Sequence, residues 1–214
     1  RRAADSLRSP LTPDVRHLMN ECANFWRWFR RSERRLLAFQ PGDERTLDLL
    51  SDRLAAVHPD LTFEFGPHGA VPREFVLSAA GIKGAFPAVR ALLAAAPPLP
   101  AWRLIAFRPR RYPISVVTIG GVTLDPDDIE VSLLHNGRIV GLHIFVPGLL
   151  DGDTNFGQAI YLLLDEALGE ETVETHVGPI EILPFEANTG GPRFPLPELP
   201  RRFDRLIATL PSGA

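Results

Sequence analysis

Residues 129–146 read Ile-Glu-Val-Ser-Leu-Leu-His-Asn-Gly-Arg-Ile-Val-Gly-Leu-His-Ile-Phe-Val, two apolar-rich runs around one Asn-Gly step. Asn136-Gly137 suits the positive φ angles of a type I′ turn, so the spacing predicts a two-residue hairpin joining Ile129–His135 to Arg138–Val146. In that register Leu133 faces Val140, Val131 faces Leu142 and Ile129 faces Ile144, with His135 opposite Arg138. This face is predicted to be core. The opposite face pairs Leu134 with Ile139, Ser132 with Gly141 and Glu130 with His143.

On the C-terminal side, Asp153 or Thr154 is a predicted cap for a helix reaching about Leu168. Its inward residues are Phe156, Ile160, Leu163, Leu164 and Ala167, and Gly169 ends it. Thr172–Val177 and Ile180–Leu183 are predicted as strands divided by Gly178-Pro179. Pro184–Pro200 is a Pro/Gly-rich arm, and Phe203, Leu206, Ile207 and Leu210 mark a terminal docking helix.

On the N-terminal side, Thr12-Pro13-Asp14 is a helix start. Val15, Leu18, Cys22, Phe25, Phe29 and Leu36 fall at helical spacing, widened by Met19, Trp26 and Leu37. Pro41-Gly42 ends this helix and Asp43 caps a second, with Leu47, Leu50, Leu54 and Val57 inward and His58-Pro59 as the stop. The pair is a predicted αα-hairpin. Strands are predicted at Leu61–Phe65, Glu74–Ala79 and Ala101–Phe107, with a helix at Ala85–Ala95. Short strands surround Val116 and Val122.

The expected class is α+β: an N-terminal αα-hairpin and further helices on antiparallel or mixed sheet, as one domain or two lobes joined near Arg110-Arg111. Residues 1–12 are an expected disordered tail. An N-terminal lobe spans 13–108, an Arg/Pro linker 109–113, a C-terminal lobe 114–184, and the arm and docking helix 185–214. No internal repeat of fixed period is visible.

The 214 residues are 45% hydrophobic and 23% charged, enough to bury a sizeable core. One cysteine excludes an intramolecular disulfide and a multi-thiol metal site. No apolar run reaches the length of a membrane span and no signal-peptide core opens the chain, so the expected location is cytoplasmic. The net charge of −3 argues against a nucleic-acid binder. Charge is unevenly placed. Residues 124–186 hold 13 acids and one base, Arg138, whereas the first helix carries Arg16, Arg27, Arg30, Arg31, Arg34 and Arg35.

Two places carry candidate chemistry. Trp28 lies off the buried stripe of the first helix, with Asn24, Arg31 and Arg35 as helical neighbours. Trp28, Arg27, Arg31 and Arg35 are therefore candidate partner-binding residues, because Trp and Arg are enriched at binding hot spots. Glu130 and His143, if opposed across the hairpin, would form a general-base pair and are the candidate catalytic residues. The acids around 151–174 match no calcium loop, no Gly-x-Ser-x-Gly elbow or phosphate loop occurs, and no metal or cofactor is expected.

The chain resembles a family of bacterial proteins with no assigned activity. The resemblance rests on Phe25-Trp26-Arg27-Trp28-Phe29 with Glu33, on residues 60–65 followed by 73–79, and on Ala95-Ala96-Pro97 with residues 102–108. A weaker echo lies at residues 163–170. It implies one continuous α+β unit and no catalytic residue. The expected function is that of a non-enzymatic soluble bacterial interaction or regulatory protein whose partner is another protein, bound through the Trp28/Arg face or the acidic second half. The alternative is a hydrolase-type enzyme with its Glu/His site between lobes.

Overall fold

The computed structural model describes residues 13–137, 139–149 and 154–210, and its fold is α+β. The expected tail at 1–12, with the Thr12 cap, and the Asp153 cap lie outside the described residues. The chain divides into two compact units, Arg1–Ala106 and Phe107–Ala214.

In the first unit, α1 (Pro13–Leu37) and α2 (Glu44–Val57) precede strands β1 (Thr62–Phe65) and β2 (Arg73–Ser78), helix α3 (Phe86–Ala94) and strand β3 (Trp102–Ala106). The sheet order is β1-β2-β3, antiparallel then parallel. Register puts Phe63 opposite Leu77, Phe65 opposite Phe75, and Phe75 opposite Leu104 on one face. Phe25 and Phe29 of α1 meet Phe75 there, at ring-centroid distances of 6.4 and 5.0 Å. The Trp26 indole N–H donates to the Leu92 carbonyl of α3 at 2.7 Å, tying the helices together. Asp43 caps α2 by accepting the Thr46 N–H at 3.1 Å. The Thr46 hydroxyl, and after it the Thr46 N–H, holds the Asp43 carboxyl below its ordinary range, with Arg35 and Arg45 adding to the effect.

Two apolar expectations for these helices fail. Val15 and Met19 are exposed, and the buried stripe of α1 begins at Cys22. The 25-residue helix is about 37 Å long, and a sheet of strands of four to six residues spans only about 13–20 Å along each strand. The first turns of α1 therefore lie off the sheet. In α2, Leu47 is exposed and Thr46 takes the inward position ahead of Leu50, Leu54 and Val57.

The second unit contains β4 (Val117–Ile119), β5 (Val122–Leu124), β6 (Glu130–His135) and β7 (Val140–Val146). Helices α4 (Thr154–Leu168) and α5 (Glu170–His176), strands β8 (Val177–Pro184) and β9 (Phe194–Pro195), and helix α6 (Leu199–Ile207) follow. β4 and β5 form a separate hairpin, and the larger sheet has the order β8-β7-β6-β9. Val131, Leu142 and Ile144 share one core with Ile160, Leu163 and Leu164 of α4 and Phe203 of α6. The two units repeat one topology, an antiparallel pair followed through helix by a parallel strand. Their connections differ in length, so the sequence shows no fixed period.

Thr172–Val177 is helical up to His176 rather than a strand. The β-branched Thr172, Val173 and Thr175 favour strand locally. Tertiary contacts at the helix start override that preference. Gly169 adopts φ 83° and the buried Glu170 carboxylate accepts the Arg108 N–H at 3.0 Å, while the Glu170 N–H donates to the Arg108 carbonyl at 2.9 Å. Gly178-Pro179 accordingly lies within a single strand, β8. Pro109–Pro113, expected as a linker, runs along the α4–α5 junction. The Arg111 N–H donates to the Glu166 carbonyl at 2.7 Å, and Arg110 donates to the Leu168 carbonyl and to both oxygens of Asp204.

Asp165 is buried in this junction, with 9% of its side chain exposed, and meets the Arg108 guanidinium at 3.2 Å. Burial pushes its carboxyl up to about 7, and the neighbouring Glu170 and Glu174 carboxylates add to the rise against the opposing pull of Arg108. The folded chain thus holds a proton between the ordinary value of 3.8 and about 7 that the unfolded chain releases. Asp165 stabilises the fold fully below 3.8 and loses that contribution as pH rises through about 7. The contribution lost is on the order of 2–4 kcal/mol. Denaturant titrations from pH 4.5 to 8 should show Asp165→Asn gaining stability over the wild type as pH rises. Parallel pH profiles would contradict this assignment.

Candidate functional site

The outward face of the larger sheet carries the most polar chemistry of the second unit. The hairpin closes one residue later than Asn-Gly. The Asn136 N–H donates to the Ile139 carbonyl, and the Asn136 side chain accepts the Ile139 N–H at 3.1 Å. Every cross-strand pair consequently moves by two residues: Val131 faces Ile144, Ser132 faces His143 and Glu130 faces Phe145. A two-residue shift preserves the faces, so the expected core face is retained. The expected Glu130–His143 pair is not formed. Glu130 instead meets Arg193 at 3.5 Å.

His143 has a different carboxylate. β8 lies parallel to β7 with Glu181 opposite His143, and Nε2 is 3.4 Å from Oε2 of Glu181. The His143 side chain is 14% exposed and that of Glu181 63% exposed. Ser132, His143 and Glu181 therefore form a row across three neighbouring strands. The row resembles a nucleophile, a base and an orienting acid, but the decisive contact is missing. Nδ1 of His143 is buried with no hydrogen-bond partner, so no Ser132 hydroxyl is bonded to it. Ser132 is 1% exposed, and Gly191 passes directly over its hydroxyl.

Gly191 and Arg193, in the segment 185–193, lie over part of this face. Arg193 stacks on Phe145 at 3.5 Å from the ring centroid and donates to the Phe185 carbonyl at 2.7 Å. The same face also carries an open cleft of about 530 Å3 lined by Leu134, Ile139, Gly141, His143, Pro179 and Glu181, with His135 and Asn136 at the turn. Two glycines allow close packing beside it. A Cβ on Gly178 would overlap Ile139, and one on Gly141 would stand 3.2 Å from the Pro179 carbonyl. The β7–β8 ladder shifts register beside them, between Val140 and Leu142.

The first unit carries the second candidate surface. At about 100° per residue, Arg27, Arg30, Arg31 and Arg34 occupy the arc of α1 opposite Phe25, Phe29 and Leu36, with Arg35 at its border. All five are exposed. None meets a carboxylate among the described residues. Arg27 donates to the Asn24 side chain at 3.0 Å, and Arg35 lies 3.4 Å from the Ser32 hydroxyl. Arg31, Ser32, Arg34, Arg35 and Ala38 line a cleft of about 560 Å3 at the end of the helix.

Trp28 sits beside this arc rather than within it. The ring is half-buried, 6.2 Å from the Phe25 ring, and it is the Arg53 guanidinium of α2 that lies over it at 5.8 Å. Neither Arg31 nor Arg35 stacks on it. Trp28 therefore seats α1 against α2, while Arg27, Arg31 and Arg35 are brought together with Arg30 and Arg34.

Cys22 is buried and burial pushes its thiol up to about 11, which leaves it an unreactive packing group. Among the described residues, no group of three His, Cys, Asp or Glu side chains is arranged to hold a metal ion. None of their helices is long and apolar enough to cross a membrane. No family model matches the chain, and no curated protein or solved structure matches it.

Proposed function

We propose that this protein is a non-enzymatic binding protein that engages an acidic protein surface through the arginine face of α1. The observation that carries this is a cluster of five exposed guanidinium groups, none of which forms a close ion pair with a carboxylate among the described residues; Arg35 alone feels one at longer range, that of Asp43. Folding alone gains little from them. Arg27–Arg31, Arg31–Arg35 and Arg30–Arg34 are like-charge pairs at i,i+4, each unfavourable by about 0.2–0.5 kcal/mol. Arg34 and Arg35 lie in the last turn and complement the helix dipole. Arg27, Arg30 and Arg31 have no such role. A partner carboxylate would relieve the repulsion and take up bidentate hydrogen bonds. The helix, braced by Trp28 against α2 and by Trp26 against α3, presents these groups without a large ordering cost.

Labelled poly-L-glutamate is a suitable probe, followed by fluorescence anisotropy. The wild type should bind it with an affinity that falls steeply with salt. The double variant Arg27→Glu/Arg31→Glu should weaken binding by about tenfold or more. Arg201→Glu, a charge reversal in the second unit, should leave binding unchanged. Equal affinity in wild type and double variant contradicts the proposal. Tighter binding of a single-stranded oligonucleotide than of poly-L-glutamate would also contradict it, in favour of a nucleic-acid partner.

A further inference from the structure

The cleft on the outward face of β6, β7 and β8 lies in the other unit and plays no part in the arginine face. Its volume of about 530 Å3 falls within the ~300–1,000 Å3 typical of small-ligand sites. Its walls are aliphatic: Leu134 and Ile139 are large side chains left exposed, and Pro179 faces them across Gly141. An unpaired aliphatic wall beside one fixed polar pair is the composition of a ligand site rather than of ordinary surface.

The polar pair sets the sign of the ligand. Glu181 stands at the rim, and its one ionic partner among the described residues is the His143 imidazole at 3.4 Å through Oε2. The lining contains no Lys or Arg among the described residues, only Glu181 and the imidazoles of His135 and His143. Oε2 faces the imidazole, and with 63% of the Glu181 side chain exposed the carboxylate remains open to a ligand from the cleft. We infer that the cleft binds a small organic cation of the alkylammonium type, its aliphatic part against Leu134, Ile139 and Pro179 and its ammonium on Glu181. No bond is made or broken; this is recognition alone.

The test uses the full chain and three matched probes, n-hexylammonium, 1-hexanol and hexanoate. Binding is followed through the backbone amides of Gly141 and His143 and the His143 ring resonances. Hexylammonium should bind more tightly than hexanol, and hexanoate least. Glu181→Gln, at an exposed position, should weaken hexylammonium by about fivefold and leave hexanol unchanged. Ile139→Asn should weaken both by about threefold. Three results would overturn the inference: hexanoate binding as tightly as hexylammonium, no effect of Glu181→Gln, or ammonium-induced shifts spread over many acidic residues instead of centred on Gly141 and His143.

Discussion

Replacing Arg73 by Ala should destabilise the first unit by about 4 kcal/mol. Arg73 sits on β2 with only 3% of its surface exposed, and among the described residues no carboxylate pairs with it. Its guanidinium instead serves the end of α1. One terminal nitrogen donates to the carbonyls of Leu36, Leu37 and Phe39 at 3.0–3.1 Å, and Nε donates to the Gly66 carbonyl at 3.0 Å. The last carbonyls of a helix have no partner within it and carry the negative end of its dipole, so a buried cation there is doubly favoured. The planar group also lies 4.8 Å over the Phe65 ring. Burial lowers its proton affinity, but guanidinium stays charged across any usable pH. Truncation leaves the carbonyls unpaired in a closed site. Arg73→Lys should recover less than half of the loss, because one ammonium cannot reach both Gly66 and the helix end.

The second large effect is expected at Phe75→Ala, about 3–5 kcal/mol. Phe75 is fully buried at the centre of an aromatic cluster. Its ring lies 5.0 Å from Phe29, 5.4 Å from Phe65 and 6.1 Å from both Phe63 and Trp102. Truncation removes those contacts together and leaves a cavity that rigid rings cannot close. Phe75→Leu keeps most of the volume and should cost about half as much. A built-in probe separates the units in both experiments. All three tryptophans, Trp26, Trp28 and Trp102, belong to the first unit, and both tyrosines, Tyr112 and Tyr161, belong to the second. Urea titration followed by tryptophan emission should show an earlier midpoint for Arg73→Ala and Phe75→Ala. An unshifted tryptophan midpoint would contradict these roles.

Local chemistry was legible where it acts alone. Asp43 caps α2, His58-Pro59 stops it, and the stripe Cys22, Phe25, Phe29 and Leu36 is buried. The faces of the hairpin were legible too, since alternation assigns them whatever the exact turn. Turn closure was not. It depends on the Asn136 side chain accepting the Ile139 N–H, which moves the pairing by two residues. Helix α5 was hidden because its β-branched residues favour strand, and its start is fixed by Arg108, 62 residues earlier in the chain.

The candidate site follows the same division. Trp28 stood out correctly as lying off the stripe, but nothing local shows that Arg53 covers it. Glu181 went unrecognised as the partner of His143. Alternation with Ile180 and Ile182 does put Glu181 on the outward face, yet only the parallel pairing of β7 with β8 sets it beside the imidazole. The arginines were visible one by one. That none of them forms a close ion pair among the described residues is a property of three-dimensional packing.

The most direct measurement of the proposed function is the arginine Nε–H spectrum of the 15N-labelled chain, recorded as poly-L-glutamate is added. The expected result is progressive shifts of Arg27, Arg30, Arg31, Arg34 and Arg35, reversed by salt, with the buried Arg73 resonance unmoved. Shifts centred on arginines of the second unit, or none on α1 at saturating probe, would contradict the assignment of this helix as the binding face.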